Sequence, residues 1–500
     1  MISRQSLIQY RANAKVQTRS LPAPVGGWNT IDAPETMAPT DAVLMDNVFP
    51  DRGSVRVRYG STQHSDTGTS DNVETLMSLV AGSVSKLVAA TDAGNIYDAT
   101  SASASSIDTG YSNGRWQWVQ FSGSLHAVNG ADAPIAYDGT SVTNPAWTGP
   151  TIANLSGVIA FKNRLFFWTG SDQSFWYAAL NAVTGALTEF PLGSVASFGG
   201  NLIAAGSWSR DEGQGPDDYI AFFMSSGEVI IYQGTDPSDA SLWALVGIYH
   251  MAKPITARGL MKIGGDLMVT TLDDYVSLNR IVATGGIGNP TKASAALRSA
   301  ASSGKNLFGW QSVLFKDGGL AVFNVPNSNG SFDQHVLNTN TGAWCRYRDL
   351  DARCWVVHGS SLFFGTSAGK IEQAETGNND DDSYIAADCL QAWSDLGVGQ
   401  TKLMSLARPV ISSSGNINYS LALGFDYVEP STPNPTAATA TSTPWGSTWG
   451  SAWGPSTIIT ANWIIRGGSG QAVATRFKVN GLQDISWNRT DFKFQVGNNL

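Results

Sequence analysis

Carboxylates crowd together at three places in this 500-residue chain. RDEGQGPDDY groups Asp211, Glu212, Asp217 and Asp218. LDDY holds Asp273 and Asp274, and NNDDDS holds Asp380, Asp381 and Asp382. Two carboxylates a few ångström apart can cleave a glycosidic bond, one as acid and the other as base or nucleophile. Each cluster, however, lies among Gly, Asn, Ser or other turn residues, where Asp is favoured because its side chain bonds nearby backbone amides. The Asp triplet also lacks the alternating ligands and later Glu of a calcium loop. Turn chemistry accounts for all three, and no catalytic residue is assigned.

Other chemistry is sparse. His64, His126, His250, His335 and His358 are scattered, and neither H-E-x-x-H nor C-x-x-C occurs. GTSAGKI has the Gly and Lys of a phosphate loop but the wrong spacing, and no Ser or Thr follows Lys370. In GGSGQ, 467–471, the Gly after the Ser comes one position too early for a nucleophile elbow. No cofactor, metal or small-molecule substrate is expected. Cys345, Cys354 and Cys389 are odd in number, so reduced thiols and synthesis in a cytoplasm are expected. WCRYRDLDARCW reads as a hairpin whose ends bury Trp344, Cys345, Cys354 and Trp355.

The stretch PWGSTWGSAWGP spaces Trp445, Trp449 and Trp453 four apart on small residues. Glycine at every fourth place opposes helix, and in extended chain an even spacing keeps all three rings on one side. A membrane wedge would carry flanking Lys or Arg, and none lies between 429 and 465. Packing onto this protein, or onto a copy of it, is the expected use.

These features must be positioned by a β-rich scaffold: 53 Gly, 17 Trp and only 14% charged residues describe short strands and tight turns. Hairpins recur from about residue 54. SVRVRYGS alternates, with Val55, Val57 and Tyr59 on one side and Arg56 and Arg58 on the other, a half-buried strand. TDAGNIY, MSSGEVI and TSAGKIE align on Gly94, Gly227 and Gly369, separated by 133 and 142 residues. Each interval is about three units of ~45 residues, the size of a propeller blade. The fold expected is an all-β propeller of about five to seven blades, with an N-terminal arm and a C-terminal β-rich domain.

The basic arm, 1–25, carries Arg4, Arg11, Lys15 and Arg19, with no acid in its first 20 residues. It has neither the apolar core nor the cleavage site of a secretory signal. The propeller is expected over 26–380, including a short helix at DAVLMDN N-capped by Thr40. The C-terminal domain follows over 381–500, with a Trp-rich loop at 429–456. No apolar run approaches the roughly 18 residues of a membrane span. The net charge of −9 opposes tight non-specific binding to nucleic acid.

The segment GGWNTIDAPETMAPTDAVLMDNVFPDRGSVRVRYG resembles the opening of tail nozzle proteins of short-tailed bacteriophages, also called packaged-DNA stabilisation proteins. The resemblance lies in Gly26, Gly27, Asn29, Asp46, Asn47, Phe49, Pro50, Arg56, Arg58 and Gly60. The run from Gly227 to Pro237, with Asp236, resembles the family's middle; NTNTGAWCRY and RFKVNGLQDISWNRTDFKFQVG are similar too. Related chains usually carry Asp where Gly446 and Gly450 stand here. The resemblance implies a structural virion protein, made in the host cytoplasm and assembled as a hexameric ring in the tail. Its implied partners are the adaptor ring below the portal and tail tip or fibre proteins. Packaged double-stranded DNA would be retained and then passed at ejection, without sequence readout. An acid-lined lumen would suit that passage. Arg4, Arg11, Lys15 and Arg19 are expected to meet the adaptor or a neighbouring subunit. The alternatives are a phage propeller hydrolase acting on glycans and a receptor-binding tail protein.

Overall fold

The computed structural model describes residues 16–211, 216–285, 289–436 and 458–497. The chain packs as two units. One comprises 63–334 and 349–374; the other gathers 1–62, 335–348 and 375–500. This division departs from the expected 26–380 propeller, because residues 26–62 pack with the C-terminal part.

The first unit is a β-propeller. Among the described residues, seven antiparallel groups of strands follow one another along the chain, five as separate sheets and the last two as parts of one 14-stranded sheet. Their first strands are Val73–Ala81, Gln117–Phe121, Gly157–Phe161, Leu202–Asp211, Leu260–Ile263, Gln311–Phe315 and Cys354–His358. Each of these inner strands neighbours the next, and the seventh returns to the first. Blade 7 takes its fourth strand, Ser61–Asp66, from upstream of blade 1, so sequence-distant segments close the ring. Blade 5 has three strands, and helices Leu278–Thr284 and Ser294–Gly304 follow it.

Blade 4 explains why its strands read as unbroken apolar runs. In the Pro216–Met224 strand, Ile220, Phe222 and Met224 join a core with blade 3, including Phe166 and Phe175. Ala221 and Phe223 join a second core with Leu267 and Val269 of blade 5. A strand has two faces and period two, so burial on both sides demands apolar residues at every position.

Gly94, Gly227 and Gly369 occupy equivalent turns between the second and third strands of blades 1, 4 and 7, at φ +77°, +97° and +72°. A Cβ at these sites would strike the carbonyl of Tyr111, Met251 or Thr69. Each glycine carbonyl accepts a backbone amide from chain just past the fourth strand: Tyr111 (3.1 Å), Met251 (2.9 Å) and Thr67 (3.1 Å). The three-blade intervals read from the sequence are present in the fold.

The second unit is built on two sheets. One contains Lys402–Ser413 and Ile485–Val496, with Val16–Pro22, Val55–Val57 and Ile464–Gly470 alongside. In the other, Ser383–Gln391 lies between Asp41–Asp46 and Val473–Gly481. Phe477 and Trp487 join the sheets, with ring centroids 5.3 Å apart.

Two expectations are corrected. Asp41–Asp46 is a strand, not a helix: it pairs with Ser383–Gln391, and Ala42 and Met45 are buried. Residues 16–22 of the expected arm are likewise a strand, in register with 489–495.

Candidate functional site

The signature residues of the N-terminal segment converge on a buried polar hub in the second unit. Its centre is Asn47, in the left-handed region at φ +56° between Asp41–Asp46 and Val48–Pro50. Its amide donates to the Arg346 carbonyl (2.8 Å), and its carbonyl accepts from Arg58 (3.0 Å). Its side-chain Oδ1 accepts from Arg58 Nε (3.0 Å) and the Arg348 amide (2.9 Å), while Nδ2 donates to the Ala386 carbonyl (2.9 Å). Asn tolerates left-handed backbone and carries both donors and an acceptor.

Three ion pairs surround it. Arg58, 2% exposed, grips Asp380 through two bonds of 2.8 and 2.5 Å. Arg346 grips Asp46 through bonds of 2.7 and 2.9 Å, with Arg348 3.5 Å away. Arg56 lies 3.7 Å from Glu375 and stacks over Phe49 and Tyr59. Burial raises the pKa of both Asp46 and Glu375, against the lowering pull of these arginines. Burial, aided by Arg346, also pushes His335 down to about 3, and its ring meets Trp28 edge-on.

The remaining signature residues serve this hub. Asn29 donates to Asp32 and Asp41, both at 2.8 Å. Gly26 and Gly27 leave no room for a Cβ beside Asp41 and the Trp344 backbone, and Gly60 none beside Asn379. The Pro50 carbonyl accepts from Asn338 (2.8 Å). Arg56 and Arg58 therefore do not face solvent, although their alternation with Val55 and Val57 is real. Gly227 and Asp236 belong to the propeller unit, where Arg164 donates to Asp236 at 2.6 Å.

Among the described residues, members of the carboxylate clusters are engaged by other partners. Asp218 is held by Lys162 (2.6 Å) and Ser209 (2.9 Å), and the bond from Lys162 lowers its pKa. Asp274 accepts from Thr291 and Arg280. Asp381 and Asp382 occupy left-handed turn positions, and Asp380 anchors Arg58. Glu212 and the side chains of Asp211 and Asp217 lie outside the described residues, as do Arg4, Arg11, Lys15, Trp445, Trp449 and Trp453. Arg19 is exposed on Val16–Pro22. Among the described residues, no group of three or more His, Cys, Asp or Glu could hold a metal ion, and no helix is long and apolar enough to cross a membrane.

WCRYRDLDARCW is not a hairpin. Trp344–Tyr347 pairs with Asp41–Asp46, whereas Cys354–His358 opens blade 7. Its Trp and Cys residues are nevertheless buried, and all three cysteines are free thiols.

Sequence reading missed Arg258. It reaches from the start of blade 5 across the ring to the Glu74 carbonyl (2.9 Å), the Trp116 carbonyl (2.9 Å) and Thr75 Oγ1. A polar cavity of about 160 Å³ beside it is lined from blades 1, 2, 5 and 6. Burial lowers the Arg258 pKa to about 10. Nothing local in KPITARGL marks this arginine, because its partners lie 142 to 184 residues away.

No protein-family profile matches the chain, and no curated protein matches it in sequence. Solved β-propellers resemble it in fold. BBS1N, from its complex with ARL6DN, is 12% identical, with a TM-score of 0.41 over 64% of this chain and 98% of that one. The Neurospora crassa Pan2 WD40 domain is 9% identical, with a TM-score of 0.39 over 65% of this chain and 97% of that one. The computationally designed Ika8 protein is 11% identical, with a TM-score of 0.37 over 63% and 99%.

Proposed function

We propose that this chain is a structural virion protein, a hexameric tail nozzle below the portal and adaptor that retains packaged DNA and forms its conduit at ejection. One observation carries the reading. The segments of family resemblance at the two ends of the chain, with the 338–347 stretch, pack into one unit, in which Arg58 donates to Asn47 and Arg346 to Asp46. The arginines and carboxylates of the hub are spent on each other, as suits an architectural part.

The propeller axis is not the conduit. Arg258 bridges it, and its cavity is far too small for a DNA duplex. Passage then runs between copies arranged in a ring. The chain's acidic balance suits a lumen that does not capture phosphates, since capture needs cationic walls.

The test is to delete the gene from the phage and examine the particles. Virions that package DNA and then lose it, and that regain retention when the protein is supplied, support the reading. Particles that keep their DNA refute it. Release of sugar from host cell wall or capsule by the purified chain would instead favour the hydrolase.

A further inference from the structure

The sheet joining Val16–Pro22, Ile485–Val496, Lys402–Ser413 and Ile464–Gly470 has one buried face and one open face. Phe492, Phe494, Met404 and Ala407 line the buried side. On the other side the registers put Val16, Gln495 and Leu403 in one row, and Thr18, Lys493, Leu406 and Ile465 in the next. Directly opposed residues of antiparallel strands share a face. Val16, Leu403 and Ile465 are 52%, 56% and 78% exposed. Trp463 lies over the same rows, with Arg408 and Lys493 each 4.6 Å from its ring.

Cations frame these apolar side chains. Asp491, two residues from Lys493 on the same face, accepts from Arg408 (2.6 and 3.0 Å), Arg489 (3.0 Å) and Ser20 (2.6 Å). Arg408, Arg489 and Lys493 thus face one carboxylate, an excess of two positive charges. The rest of the molecule supplies the opposite sign. The propeller unit has 15 Lys and Arg against 25 Asp and Glu, while this unit has 16 against 15.

We infer that this open face is the docking surface for the propeller unit of a second copy of the chain. The inference rests on the ring reading above and specifies which surfaces meet. Two such faces set against each other would oppose cation to cation. A basic, apolar face against an acidic unit is attractive, and it is necessarily a contact between unlike surfaces. Contacts of that kind propagate head to tail, and close into a ring where the rotation between copies allows it. Val16, Leu403 and Ile465 would form the dry centre, and the cations the steering rim.

The test compares the full chain with two double variants by sedimentation at low and high salt. Leu403→Glu with Ile465→Glu sets carboxylates against the acidic partner; Leu403→Lys with Ile465→Lys sets ammonium groups there. Both positions are solvent-exposed, so circular dichroism should be unchanged. The wild type should associate, and more weakly in high salt. The Glu pair should weaken association by about tenfold or more, and the Lys pair distinctly less. Equal losses in both variants, or none, overturn the inference. Undiminished rings in both variants would overturn this surface alone and leave the nozzle reading standing. Association through this face that never closes into a six-fold ring would support the surface and sink the nozzle. A wild type that stays solitary at every concentration contradicts the inference.

Discussion

Asn47 shows how much a single side chain carries here. It fixes a left-handed bend and bonds to Arg58, Arg348 and Ala386. Arg58 completes the arrangement by holding Asp380. Replacing Arg58 by Ala would take this donor from Asp380 and the Tyr59 carbonyl, and would leave Asn47 Oδ1 with the Arg348 amide alone. The expected loss is about 3–5 kcal/mol, typical of a broken buried pair, read as a lower urea midpoint. His335 gives a pH signature. Its folded pKa, about 3, lies below the ordinary 6.5. The unfolded chain therefore binds the extra proton, and stability falls as pH drops from about 6.5 toward 3, by up to about 1.4 kcal/mol per unit. His335→Gln should flatten that slope in denaturant titrations across the same range. Sequence marked Asn47, Asp46 and Arg58 as a signature but not what they do. Their partners Arg346 and Asp380 stand 300 and 322 residues away, and no spacing rule reaches that far.

Elements were legible where local pattern decides them. The hairpins, the three aligned glycine turns and the blade interval follow from period-two apolarity and positive-φ glycine. Gly227→Ala should cost about 1–3 kcal/mol from backbone strain, plus the collision with the Met251 carbonyl. Gly82→Ala, at φ +58° with nothing within 4 Å of the added carbon, should cost only about 1–2 kcal/mol. Thermal denaturation of the two variants would separate strain from collision. DAVLMDN misleads because its apolar spacing suits a short helix as well as a strand. Burial between Ser383–Gln391 and Trp344–Tyr347 decides for the strand. WCRYRDLDARCW misleads differently: its symmetry suggests a hairpin, yet the chain passes from one unit to the other within it.

At the scale of the whole molecule, charge is divided between the two units, and the propeller unit holds the acidic excess. Composition gave the total; only the fold shows which segments share a unit. The same knowledge refines the role of the basic terminus. Val16–Pro22 belongs to a sheet, with Ser20 bonded to Asp491, so a deletion must stop short of it. Removing 2–15 should abolish attachment to the adaptor ring while leaving the melting temperature unchanged; co-sedimentation with adaptor would read this. The central claim, a ring on the tail axis, is tested most directly by electron microscopy of purified virions carrying gold at the C-terminus of this chain. The account predicts label in a six-fold ring on the axis below the portal. Label on peripheral fibres, or particles without label, would contradict it.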